Sequence, residues 1–268
     1  MGTHGWQVAF AIAIAFAVAV FYGGVAVYVV GSYFFARAHH PARGFSLTLR
    51  EAIREGMLAA LVQPLLPLYY LVGRRMGGVA GRRPVVLVHG YGQNRVDFVW
   101  LARALGKAGL GPMYGFNYWP FSSVAVSAAG LARFVTRVCA DENADAVDLV
   151  CHSMGGLLAL ELLGMDGARV RRLVTIGTPH AGVAWRGPIL GASAAQLRHG
   201  ADRVRDARAL DHAALSIYST HDNVVGTATT SSLIAVGGRD LVVPGLGHVA
   251  MLFDRRVAQE IAAFLAAE

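Results

Sequence analysis

The chain has little charge. Asp, Glu, Lys and Arg make up 15% of its 268 residues, and Lys107 is the only lysine. Hydrophobic residues make up 55%. That balance excludes an ordinary soluble protein and calls for a membrane segment beside a globular domain. Cysteine is scarce too: Cys139 and Cys151 cannot build a disulfide framework, so the redox compartment stays open. No His/Cys cluster has metal-ligand spacing, so no metal is expected. There is no internal repeat and no low-complexity tract beyond the apolar N-terminus. The formal net charge is +7, yet the arginines do not interleave with aromatics on one stripe, as a nucleic-acid face would require. Many flank the apolar N-terminal segments instead: Arg37, Arg43, Arg50 and Arg54, then Arg74, Arg75, Arg82 and Arg83. Attraction to anionic lipid headgroups is the simpler reading, and nucleic acid is not an expected partner.

Residues 5–36 contain no charged side chain, and residues 6–30 are nearly all Ala, Val, Ile, Phe and Tyr. Roughly 20 helical residues cross the hydrocarbon core, so this run is long enough to span. A cleaved signal peptide is the rival reading. Against it, the leading MGTHG carries no Lys or Arg, the apolar run is too long, and no Ala-x-Ala site follows. Residues 1–36 are therefore expected to be a retained transmembrane anchor. Residues 37–83 read as an Arg-rich linker holding a second apolar stretch, residues 57–73, with Pro64 and Pro67. Before it, residues 47–56 look like a polar-faced helix. The second stretch is short for a span. A kinked second span, a segment lying on the bilayer and a flap packed on the following domain all stay open. Arginines follow the apolar stretches and none precedes the first. The positive-inside rule then puts the C-terminal domain on the cytoplasmic side, in a bacterial inner membrane.

From residue 84 the pattern changes. PVVLVHG, MYGFNY, AVDLVCHS, VRRLVTIGT, LSIYST and a segment near residues 241–243 read as short buried strands. Helix-like segments lie at residues 96–108, 124–139, 154–164 and 255–267. Alternating strands and helices predict an α/β domain over residues 84–268, with a doubly wound, mostly parallel sheet.

Within it, VDLVCHSMGG drives a buried strand into Ser153, two glycines and an apolar helix. A serine on such a turn is held out above the sheet edge, with the helix N-terminus behind it offering unpaired N–H groups. The bland alternative is a strand–turn–helix with a serine N-cap. VVLVHGYGQN ends a second strand in a His–Gly turn. The backbone N–H groups of Tyr91 and Met154 are candidates to stabilise an oxyanion. His89 reads as structural there. A base must reach Ser153 and an acid must orient that base. His248, in a glycine-rich loop, is the base candidate. Asp222, just past a strand, is the acid candidate, with Asp240 its rival. His221 reads as a loop residue. The order Ser153, Asp222, His248 is that of α/β-hydrolases.

Together these motifs resemble the α/β-hydrolase superfamily, in its bacterial triacylglycerol lipase and esterase branch. The resemblance is carried by His89-Gly90, by His152 to Gly156, by Gly177, Thr178, Pro179, His180 and Gly182, by His221 to Val224, and by Gly247-His248. Cys151 stands where the G-x-S-x-G elbow usually has glycine. The resemblance covers residues 84–268 and implies a serine hydrolase of carboxylic esters, working through an acyl-enzyme without metal or organic cofactor. It implies an ester or lipid substrate, with the membrane as a partner. It also implies a lid at residues 183–214, with Trp185, Ile189 and Leu190 near its start. Acyl transfer to an alcohol and a membrane adaptor without activity are the alternatives.

Overall fold

The computed structural model describes residues 3–39, 45–183, 189–198, 213–225 and 230–267. Six strands form one sheet: β1 (Val85–Val88), β2 (Met113–Phe116), β3 (Val147–His152), β4 (Val170–Ile176), β5 (Ala213–Tyr218) and β6 (Arg239–Val242). Their order is β2-β1-β3-β4-β5-β6, and every neighbouring pair is parallel. The strands are apolar on both sides because both faces are covered. Val86 and Val88 of β1 point into one core, and Val85 and Leu87 into the other.

The first core is closed by α4 (Val124–Asp141) and α5 (Met154–Leu163), and the second by α3 (Val99–Lys107) and α7 (Arg255–Ala266). In α4, Val124, Ala128, Leu131, Val135 and Val138 recur every three or four residues and are buried, which is the stripe a 3.6-residue helix needs. Ser123 caps α4 by accepting from the Val126 N–H, and Asp254 caps α7 by accepting from the Arg256 N–H. Asp148, at the start of β3, is held by Arg171 through two hydrogen bonds of 2.9 and 2.7 Å. The chain winds outward from β1 to β2, then returns across β1 to β3 and winds the other way. That reversal leaves a crevice beyond the carboxyl ends of β1 and β3, the place where open α/β sheets bind ligands.

The N-terminal region is helical and is joined to this domain. α1 (Thr3–His39) is 37 residues long. Within it, residues 5–35 form the one helix among the described residues that is long and apolar enough to cross a membrane. α2 (Phe45–Val62) packs against α1. The Val29 side chain packs on Gly56, where an added Cβ would lie 3.0 Å from it. The stretch read as a linker thus carries α2 and then a 3-10 helix, Gln63–Tyr70, that takes up Pro64 and Pro67. The α/β domain holds this turn. Asn94 donates to the Leu66 carbonyl at 2.9 Å, and Arg95 donates to the carbonyls of Val72 and Tyr69 at 2.8 and 2.5 Å. Leu49, Ile53, Met57 and Leu61 of α2 stay exposed, as do Leu65, Leu68, Tyr70 and Leu71. Of the segment read as a lid, α6 (Ala194–Leu197) is described. Trp185 lies outside the described residues, Ile189 packs on the core, and Leu190 is exposed.

Candidate active site

Ser153 stands between β3 and α5 with φ 52° and ψ −126°. A non-glycine residue at positive φ is strained by about 1–3 kcal/mol and is kept only where its surroundings over-determine it. Here the neighbours are packed without room for a side chain. A Cβ on Gly155 would sit 2.5 Å from the Val88 carbonyl oxygen, and one on Gly90 would sit 2.7 Å from the Ser153 Cβ. Ser153 N–H donates to the Ile176 carbonyl at 2.9 Å, which ties the turn to β4. Behind the turn, Thr178 fills the space that residue 156 leaves by being glycine.

Asp222 and His248 come from different loops and meet. His248 Nδ1 lies 2.8 Å from Asp222 Oδ2, and both residues are buried. The other carboxylate oxygen, Oδ1, accepts from the N–H groups of Val224 and Val225 at 2.8 and 2.9 Å. Burial pushes the Asp222 carboxyl up, but the imidazole and these N–H donors outweigh it, and its pKa ends below the ordinary carboxylate value. For His248, burial favours the neutral ring, but Asp222 and then Glu55 outweigh it, so its pKa ends above the ordinary imidazole value. Asp240 is committed elsewhere. It accepts from the Tyr218 hydroxyl at 3.1 Å and from the Leu233 N–H at 2.9 Å.

Ser153 and His248 border one apolar cavity of about 520 Å³, together with Tyr91 and Gln93. Tyr91 follows the β1 turn, and its hydroxyl donates to the Leu190 carbonyl at 3.1 Å. Met154 opens α5, whose first N–H groups have no partner within the helix. The loop from β1 to α3 is fixed by a reciprocal cap of Asn94 and Asp97. Gln93 Oε1 accepts from the Gly90 N–H at 3.0 Å.

His89 and His180 are held neutral by burial. His89 stacks on Tyr118 at 4.3 Å, accepts at Nε2 from the Tyr118 N–H, and has its pKa lowered to about 4. His180 lies 3.1 Å from the Thr175 hydroxyl, with its pKa lowered to about 3. His221 Nδ1 accepts from the Gly245 N–H at 3.2 Å.

Three residues to which the sequence reading gives no role, Asn223, His152 and Glu55, lie against the His248 backbone. Asn223 Oδ1 accepts from the His248 N–H at 2.8 Å. His152 Nε2 lies 3.1 Å from the His248 carbonyl oxygen, so a neutral ring protonated there donates to it. Its pKa is lowered to about 3, by burial first and by His248 second. Its Nδ1 lies 2.7 Å from Gln93 Oε1, and the single proton of a neutral ring can serve only one of the two oxygens. Glu55 comes from α2. It is buried, and its two oxygens accept from the N–H groups of Val249 and Ala250 at 2.8 and 2.9 Å. Burial raises the Glu55 carboxyl above its ordinary pKa, with those two N–H groups and His248 pulling the other way. A Cβ on Gly247 would lie 2.5 Å from Glu55 Oε2, so the close approach needs glycine there.

A family model described as alpha/beta hydrolase fold matches residues 83–224. Triacylglycerol lipases from Pseudarthrobacter phenanthrenivorans and Burkholderia plantarii are each 30% identical over 163 residues. Each alignment covers 57% of this chain, and 46% and 41% of those proteins respectively. The chain thus spans less than half the length of the curated relatives it matches. Among solved structures, Aspergillus fumigatus lipase B superposes with a TM-score of 0.60 at 20% identity, covering 70% of this chain and 53% of that one. At that identity the likeness shows the fold.

The Glu55 clamp makes a direct prediction. Glu55→Ala leaves the Val249 and Ala250 N–H groups buried and unpaired, at about 1–3 kcal/mol each. Thermal melting of the full chain in detergent should show a marked drop. An unchanged melting temperature would mean that α2 does not hold the His248 loop.

Proposed function

The chain belongs to the family of the alpha/beta hydrolase fold, and from that premise we propose that it is a membrane-anchored serine hydrolase of carboxylic esters with apolar acyl groups. The observation that carries this reading is the His248–Asp222 pair opening onto the same cavity as Ser153. Its likeness to triacylglycerol lipases supports the substrate class.

In this reading Ser153 Oγ attacks the ester carbonyl while His248 Nε2 takes its proton. Asp222 holds the imidazole in the tautomer with Nδ1–H and stabilises the imidazolium. Charge gathers on the former carbonyl oxygen and is met by the backbone N–H groups of Tyr91 and Met154. By the precedent of removing one such donor, each is worth about 3–4 kcal/mol. His248 then hands its proton to the leaving alkoxide, and the acyl group stays on Ser153. Water, deprotonated by the same imidazole, attacks the acyl-enzyme and frees the acid. The strained turn keeps the hydroxyl at one position, so little orientation is lost in reaching the transition state.

The N-terminal 36 residues serve as anchor, and the exposed apolar side of α2 and the turn after it lies on the bilayer surface. The arginines of residues 37–83 sit against anionic headgroups at about 1 kcal/mol each. By the positive-inside rule the hydrolase domain faces the cytoplasm.

Ser153→Ala should abolish ester turnover with the fold intact. Asp222→Asn should cost roughly 10⁴-fold, as the orienting acid does in well-studied triads. Asp240→Asn should cost little turnover, and the reverse pattern of the two Asp variants would move the acid role to Asp240. The pH profile follows from His248. The base works as the neutral imidazole and its pKa is raised, so kcat/KM should fall as pH drops, with a midpoint above the ordinary 6.5. A midpoint below 6.5 contradicts the assignment. After a high-salt wash the full chain should stay with membranes. Recovery in the soluble fraction with residues 1–36 attached removes the anchor.

A further inference from the structure

The cavity at Ser153 is not closed by the hydrolase domain alone. Val20, Phe21, Gly24, Val25 and Tyr28 of α1 form its opposite wall. Their spacing puts them on one face of a helix, so the contact is a continuous stripe. A helix serving only as a tether needs no such stripe against Ser153 and His248. At Gly24 the wall is thinnest, since an added Cβ would meet no atom within 4 Å and the space there is open.

Contacts with α2 and with the loop after β5 hold α1 in this place. Gly56 of α2 lets Val29 approach closely. The Tyr28 hydroxyl lies 3.5 Å from Glu55 Oε1 and 3.4 Å from Asn223 Nδ2. Glu55 and Asn223 are the residues that bind the backbone around His248. The wall and the base are therefore tied through the same two side chains.

The length of α1 sets the depth of the stripe. Its 37 residues rise roughly 55 Å, nearly twice the ~30 Å hydrocarbon core. About 20 residues counted from Trp6 bring the hydrocarbon edge to the middle of the stripe. The cavity then opens at the boundary between acyl chains and headgroups, where the ester carbonyl of a bilayer lipid lies.

We propose that α1 is a wall of the acyl-binding site: the chain of a long-chain ester enters from the leaflet and packs along Val20, Phe21, Gly24 and Val25, with its carbonyl at Ser153. Gly24 sets the room available to that chain, and Phe21 limits it from the turn before. This rests on the reading of Ser153 as nucleophile. The apolar lining and the volume suit an acyl chain, being within the ~300–1,000 Å³ of ordinary ligand pockets.

The test uses the full chain in detergent micelles with p-nitrophenyl esters from butyrate to palmitate. Gly24→Phe fills the open space and should lower the palmitate-to-butyrate ratio of kcat/KM by about tenfold or more. Phe21→Ala enlarges the cavity and should raise that ratio several-fold. The two variants move the ratio in opposite directions, so Phe21→Ala decides the matter if Gly24→Phe fails to fold. A ratio within about twofold of wild type in folded variants would overturn the wall while leaving Ser153 in place. A wild-type chain that hydrolyses no ester of the series would overturn both readings.

Discussion

The buried contact between His248 and Asp222 is the constraint around which the rest of the molecule is arranged. A carboxylate taken out of water is costly unless it is paired and its lone pairs are met. Asp222 meets both conditions, with the imidazole on one oxygen and two backbone N–H groups on the other. Breaking such a pair by removing one partner costs about 3–5 kcal/mol. Its two members respond to pH in opposite senses. The raised pKa of His248 stabilises the fold below the ordinary imidazole pKa, and this is lost as pH rises through the folded value. The lowered pKa of Asp222 stabilises above the ordinary carboxylate pKa, and this is lost as pH falls through its folded value.

Holding the imidazole takes more than its carboxylate partner. The His248 N–H and the next two N–H groups each have a side-chain partner, from Asn223 and Glu55. Glu55 comes from the N-terminal helices. The region that reads as anchor and linker is therefore part of the framework around the His248 imidazole. The same helices place an apolar stripe across the cavity from Ser153. A tether could be exchanged for another tether of equal length, whereas a helix with these contacts cannot.

The fold was legible because buried parallel strands write themselves as continuous apolar runs. VVLV and VDLVCH are such runs, since both faces of the sheet are covered. Ser153, Asp222 and His248 were singled out as candidates by chain order and by the glycines around them. Choosing between Asp222 and Asp240 needed geometry, because both follow strands. The structure puts Asp222 on the imidazole and Asp240 on Tyr218 and Leu233. Glu55 was not legible. In LTLREAIREG it reads as one more charge on a solvated helix face, and its donors lie 194 and 195 residues away. The stripe on α1 was hidden for a different reason. α1 is apolar on every side, so its sequence has no period to mark the face that meets the rest of the protein. The two prolines of residues 57–73 left that stretch open between a span, a surface segment and a flap. Asn94 and Arg95, which hold its turn from the other side, lie some 25 residues on and carry no mark of that use.

Covalent capture of the acyl group tests the central claim most directly. Full-length protein would be mixed with an ester whose acyl-enzyme is slow to hydrolyse, quenched in acid, digested and read by mass spectrometry. The account predicts a stoichiometric acyl adduct on the peptide that contains Ser153, absent from the Ser153→Ala protein. Ester turnover with no adduct on that peptide, or the same adduct in Ser153→Ala, would contradict it.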